Sequence, residues 1–161
     1  MFNIKTEFYL KIILLFSFIA LISAFFIEHV LGHQPCNLCL IERIPYGLSI
    51  MIIIVIFLTK KNQKFLILLL ILTFIFSFVI SFYHFGIERG FFEESFVCGV
   101  KNLTESITKE DLLKELSEKT ISCKDVTFRI FGLSLTSINI IISLLFIITL
   151  LRIFNKYEKN K

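Results

Sequence analysis

Two residues separate Cys36 from Cys39 in Pro35-Cys36-Asn37-Leu38-Cys39, and Arg43 follows where an apolar run begins. Such a pair can close a small strained disulfide and hold a stabilised thiolate, which is what dithiol redox chemistry requires. Cys98 and Cys123 complete the complement of four cysteines. Their spacing is open between a structural staple and a working disulfide that a docking partner could meet.

If a helix begins near Cys39, its N-terminus contributes positive potential there, and Arg43 lies four residues on along the same face. At an effective dielectric near 20 and about 5 Å, one cation is worth roughly 3 kcal/mol. This favours a thiolate at Cys39. Pro45 suits the first turn of a helix and would kink one that had started at Leu38, so the start falls anywhere from Leu38 to Ile44. Arg43 also offers a donor fork at the membrane boundary, suited to the carbonyl oxygen of a quinone head group. Structural disulfides tend to lie below about −300 mV, and raising one by about 100 mV takes roughly 4 to 5 kcal/mol of strain or thiolate stabilisation. A tight Cys-x-x-Cys beside a helix end and an arginine can supply that.

Other ligand-type residues fit less well. His29 and His33 precede the cysteines and could complete a two-sulfur, two-nitrogen zinc set, but Cys98 and Cys123 would then go unexplained; no metal is expected. Haem attachment fails because Leu40 stands where a histidine is required. His84, in Tyr83-His84-Phe85-Gly86, reads as an interfacial anchor.

The elements that carry these residues are those of a membrane protein. Among 161 residues 56% are hydrophobic and the mean hydropathy is +0.83, far above a soluble domain. Uncharged stretches cover residues 12–27, 44–59, 65–87 and 130–151. With flanking residues borrowed where a stretch is short, they predict an all-α membrane protein, a bundle of four transmembrane helices at about 8–27, 40–59, 65–87 and 130–151. The chain reads as a single domain over 1–161, with a redox loop. Bulky Ile22, where a small residue belongs, argues against cleavage of the first segment as a signal peptide. Thr108-Lys109-Glu110-Asp111, followed by Leu112, Leu113 and Leu116, predicts a short amphipathic surface helix.

Four crossings put both termini on one side, where lysines and arginines are dense and little opposed by acids, so both termini are expected to be cytoplasmic. The loops at 28–43 and 86–129 then face an oxidising space such as a periplasm, and they hold all four cysteines. The lipid bilayer is the surrounding partner and no nucleic acid is expected.

The segments Pro35-Cys36-Asn37-Leu38-Cys39-Leu40-Ile41-Glu42-Arg43-Ile44-Pro45-Tyr46, Tyr83-His84-Phe85-Gly86-Ile87-Glu88-Arg89-Gly90, Cys98-Gly99, and Cys123 leading to Phe131-Gly132-Leu133-Ser134 and Asn139 resemble the DsbB family of disulfide bond formation proteins. Thr136 and Ser137 depart from the smaller residues expected there. The resemblance implies an inner-membrane enzyme that reoxidises a periplasmic DsbA-type thiol oxidase and passes two electrons to ubiquinone or menaquinone. It implies that Cys98 and Cys123 form the disulfide the partner attacks, with Cys98 taking the mixed disulfide. Cys36 and Cys39 then reoxidise that pair, with Cys39 facing the quinone and Arg43 assisting it.

Vitamin K epoxide reductase has its Cys-x-x-Cys late in the chain, whereas here it comes first, at helix two. A DsbI-like oxidase with a specialised partner and a non-enzymatic, disulfide-stapled membrane subunit are the remaining alternatives.

Overall fold

The computed structural model describes residues 4–59, 62–93, 98, 122–124, 129–130 and 132–159. Among them are four helices, α1 (Ile4–His29), α2 (Asn37–Leu58), α3 (Gln63–Glu88) and α4 (Leu135–Lys159). β1 (Arg129–Ile130) and β2 (Leu133–Ser134) pair antiparallel just before α4, with Arg129 opposite Ser134. All four helices are long and apolar enough to cross a membrane, as a multi-pass protein requires.

The helix limits differ from the expected ones where capping chemistry intervenes. α2 starts at Asn37 because Cys36 caps it, with φ −71° and ψ 167° and its sulfur accepting the Cys39 N–H at 3.3 Å. Pro45 therefore lies inside the helix, and the Ile41 carbonyl loses its intrahelical donor. Residues 130 and 132–134, expected to be helical, lie instead in the strand pair and its turn, with Gly132 at φ +82°. Ser134 then caps α4 by accepting the Ser137 N–H at 3.3 Å. α1 begins at Ile4 and takes in Lys11, which pairs with Glu7 at 2.9 Å. α4 continues to Lys159, past the expected end at 151, because exposed Arg152 and Lys156 can reach the head groups from it. The amphipathic helix expected from Thr108 to Leu116 lies outside the described residues.

α3 packs most extensively on α4 and next on α2, while α1 leans mainly on α2. In lipid an apolar side chain gains little by leaving its surroundings, so helices associate through close fit and through polar groups shared between them. The two halves of the bundle divide these tasks. Far from the cysteines, Leu10, Ile13, Ile53, Ile56, Ile67, Leu70, Phe74 and Leu150 are enclosed on all sides. Phe146 meets Phe74 edge-on at 5.0 Å and Phe16 at 5.4 Å. At mid-depth Ser49 donates to Ser17 at 3.0 Å and Ser143 to Ser77 at 3.1 Å, pairs small enough to let backbones approach.

Beyond α3 the chain doubles back over the helix end. Phe91 N–H and Phe92 N–H both donate to the Gly86 carbonyl, at 2.8 and 3.2 Å. The Phe92 ring stacks on Tyr83 with centroids 5.7 Å apart and occupies the space of a β-carbon at Gly86, whose nearest ring atom would be 2.0 Å away.

Candidate functional site

The start of α2 holds Cys36 and Cys39 as free thiols with sulfurs 2.7 Å apart. Cys36 sits at the cap, outside the spanning segment, and Cys39 one turn inside it. The capping position concentrates positive potential on Cys36 rather than on Cys39. The Cys39 S–H hydrogen bond is the largest influence on the Cys36 thiol, followed by burial, which opposes ionisation, and then by His84 and the Cys39 N–H. Together they lower it to about 5, which favours the thiolate of Cys36.

Arg43 turns away from this pair. Its guanidinium forms an ion pair with Glu28 at the end of α1 and lies over the Phe25 ring, 5.3 Å from the centroid. The cation expected to act on Cys39 is therefore answered by Glu28, and the pair ties α1 to the start of α2. Leu40 and Ile44 flank this region and are exposed, so the surface beside Cys39 and Arg43 is open to lipid.

His84 is not the interfacial anchor that its place beside Tyr83 suggests. Its ring points into the bundle, 2% exposed, because four polar groups from two other helices and its own await it there. Nδ1 lies 2.9 Å from Glu42 Oε1 and 3.3 Å from Thr136 Oγ1. Nε2 lies 3.7 Å from Cys36 Sγ and 4.0 Å from Glu88 Oε1. Behind Glu42, Asn139 donates to its Oε2 at 3.2 Å and to Ser81 at 2.7 Å, and the Tyr46 hydroxyl donates to the Asn139 carbonyl oxygen. Among the described residues no buried polar side-chain atom lacks a partner. That completeness is what makes a buried polar network tolerable in lipid.

Cys98 and Cys123 form a disulfide with Cα atoms 5.7 Å apart. It packs in one cluster with Cys36, Leu38 and Ile87, bordered by Cys39, Ile41, Ile80 and Tyr83. All four cysteines thus meet at one end of the bundle, across a sequence interval of almost ninety residues. Arg43 is at the same end but engaged with α1.

Cys36, Cys39 and His84 offer three metal-type ligand atoms within 4.8 Å of one another. To share one metal ion the two sulfurs would have to part from their 2.7 Å separation. Thiolates bound at about 2.3 Å to one tetrahedral zinc stand roughly 3.8 Å apart. The arrangement suits exchange of a proton and of disulfide bonds. His29 lies apart from it, its ring bonded to the Phe25 carbonyl at 3.1 Å.

Sequence reasoning passed over Glu42, Glu88 and the inward role of Thr136. A signal for the first existed, since an acid beside Arg43 within an apolar helix is costly unless partnered, and so marks a site. Thr136, read only as bulkier than expected, donates to Glu88 at 2.6 Å.

Comparison with known proteins agrees with this geometry. The family model for the disulfide bond formation protein DsbB matches residues 6–153. An uncharacterized protein of Rickettsia prowazekii (strain Madrid E) is 27% identical over 152 residues, which cover 93% of this chain and 88% of that protein. Spanning all four helices and both cysteine pairs, the match establishes that the chain belongs to the DsbB family, as a multi-pass membrane protein with disulfide oxidoreductase chemistry.

Proposed function

We propose that this protein draws electrons from a reduced DsbA-type thiol oxidase and delivers them to ubiquinone or menaquinone, with its cysteine end on the periplasmic face of a bacterial inner membrane. The observation that carries this reading is the packing of both cysteine pairs into one cluster at one end of the helix bundle. Thiol–disulfide exchange proceeds by attack of a thiolate on a neighbouring sulfur, so two pairs buried together can pass a disulfide from one to the other.

In the first step the partner's thiolate attacks Cys98, breaking the Cys98–Cys123 bond and forming a mixed disulfide that its second thiol resolves. The partner leaves oxidised, and Cys98 and Cys123 are left as thiols. Cys98 is 1% exposed, so docking has to part the cluster around Ile87 to reach it. The disulfide form of Cys36 and Cys39 then takes up those electrons. Cys36 and Cys39 return to the disulfide by releasing two electrons and two protons, for which a quinone held beside Cys39 and Arg43 would supply the two-electron acceptor. Cys39 and Arg43 lie on α2 four residues apart, next to the lipid-exposed Leu40 and Ile44, and this is where a hydrophobic carrier can enter laterally. Arg43, braced by Glu28 and Phe25, would hold the head-group carbonyl through its remaining N–H groups.

Purified protein given a reduced DsbA-type partner and a soluble quinone should consume the quinone, followed by its absorbance. Cys36→Ser, Cys39→Ser, Cys98→Ser and Cys123→Ser should each abolish turnover, and Arg43→Gln should raise KM for quinone. Full turnover by any of the four serine variants overturns the relay.

A further inference from the structure

The contacts around His84 determine which of its nitrogens carries hydrogen. Thr136 directs its hydroxyl proton to Glu88 at 2.6 Å, so towards His84 Nδ1 its oxygen can only accept. Glu42 Oε1, the other neighbour of Nδ1, also accepts, while Glu42 Oε2 accepts from Asn139. Two acceptors on one nitrogen require the hydrogen there. In the neutral ring Nε2 is therefore bare, and it faces Cys36 Sγ at 3.7 Å.

We propose that His84 is the proton acceptor for Cys36 and that Glu42 is a positioning residue, holding the ring in the tautomer able to accept. The inference rests on the relay described above. When Cys36 and Cys39 are thiols, the Cys36 proton passes to Nε2, leaving a thiolate beside an imidazolium; no bond between heavy atoms changes and no electron moves. Both electrons leave the sulfurs only as the Cys36–Cys39 bond re-forms. The proton stored on Nε2 is then one of the two that the dithiol gives up with its electrons. Glu88, 4.0 Å from the same nitrogen and held by Thr136, is placed to accept a hydrogen bond once Nε2 is protonated.

The groups facing the ring are Cys36 and Glu42 from the α2 side, Glu88 on α3, and Thr136 on α4, with Asn139 one contact behind Glu42. Of the other acids at this end among the described residues, Glu28 of α1 is paired with Arg43 and Glu93 is exposed beyond α3. One carboxylate therefore fixes the ring and a second flanks the nitrogen that works.

Two measurements test the assignment without partner or quinone. In the first, reduced protein is alkylated over a range of pH and Cys36 is quantified by peptide mass spectrometry. Glu42→Gln and His84→Gln should raise the Cys36 midpoint by at least one pH unit, a loss of about twofold or more in rate at pH 6, and Glu42→Asp should recover part of it. A folded Glu42→Gln protein with an unchanged midpoint overturns the inference and leaves the relay standing. The second needs no substitution at Glu42. Nitrogen NMR of histidine-labelled protein with Cys36 and Cys39 oxidised, His84 being assigned from its loss in His84→Gln, should show hydrogen on Nδ1 alone. Hydrogen on Nε2 in that state overturns the assignment even if Glu42 variants fail to fold. Absence of quinone reduction by wild-type protein would instead defeat the relay.

Discussion

The two halves of this bundle solve the same packing problem with opposite materials. Away from the cysteines, Leu10, Ile53, Ile67, Phe74 and Leu150 interlock by shape alone. Towards them, Glu42, Ser81, His84, Thr136 and Asn139 are equally buried yet joined by directed hydrogen bonds. Hydrocarbon surroundings offer apolar side chains nothing to flee, so the first half depends on contact and tolerates any side chain of matching volume. The second half depends on the identity of each donor and acceptor, because an unpaired polar atom in that medium costs several kcal/mol. Placing reactive sulfurs against the directed half gives them neighbours whose orientation cannot drift.

Substitutions that strike one half at a time separate stability from chemistry. The largest effect on stability is expected from Phe74→Ala, which empties a fully enclosed ring site between Tyr46 and Phe146. It should cost about 3 kcal/mol in reversible unfolding from detergent micelles, with turnover per folded molecule unchanged. A comparable loss of turnover would show that the halves are not separable.

Asn139→Leu keeps the branched shape but cuts the links to Tyr46, Glu42 and Ser81. About 2 kcal/mol of stability should go with them, and turnover per folded molecule should fall more than tenfold, the reverse of the Phe74 result. A purely structural Asn139 would lose stability alone. Cys36 gives a graded test of the same half. With its thiol lowered to about 5, the ionised fraction climbs through pH 5 and is complete by neutrality. Its alkylation rate should be flat between pH 7 and 8, where an ordinary thiol gains nearly tenfold.

Gly86→Ala should displace Phe92 from Tyr83, read as increased accessibility of the Cys98–Cys123 disulfide to a small phosphine reductant. The smallest effect belongs to Ser17→Ala at the boundary between the halves. It removes one interhelical hydrogen bond, at about 0.6 kcal/mol, without a change in turnover.

The helices were legible in the chain because four uncharged stretches in a hydrophobic sequence admit little else. The cysteines were legible by type and spacing, and the resemblance supplied their pairing. Helix starts were not, since hydropathy carries no information on caps: the thiol that begins α2 and the Ser134 hydroxyl that begins α4 act through single hydrogen bonds. The inward turn of His84 was hidden for a related reason. Its partners Glu42 and Thr136 lie 42 and 52 residues away, and only the meeting of α2, α3 and α4 brings them to the ring.

The sulfur that opens α2 holds the amide of Cys39, so a change at that sulfur is felt by the first turn of the helix. Whenever Cys36 enters a covalent bond, the Cys39 amide loses a charged acceptor. Deuterium uptake at this single position would then follow turnover in real time, an internal gauge that needs neither dye nor coloured carrier.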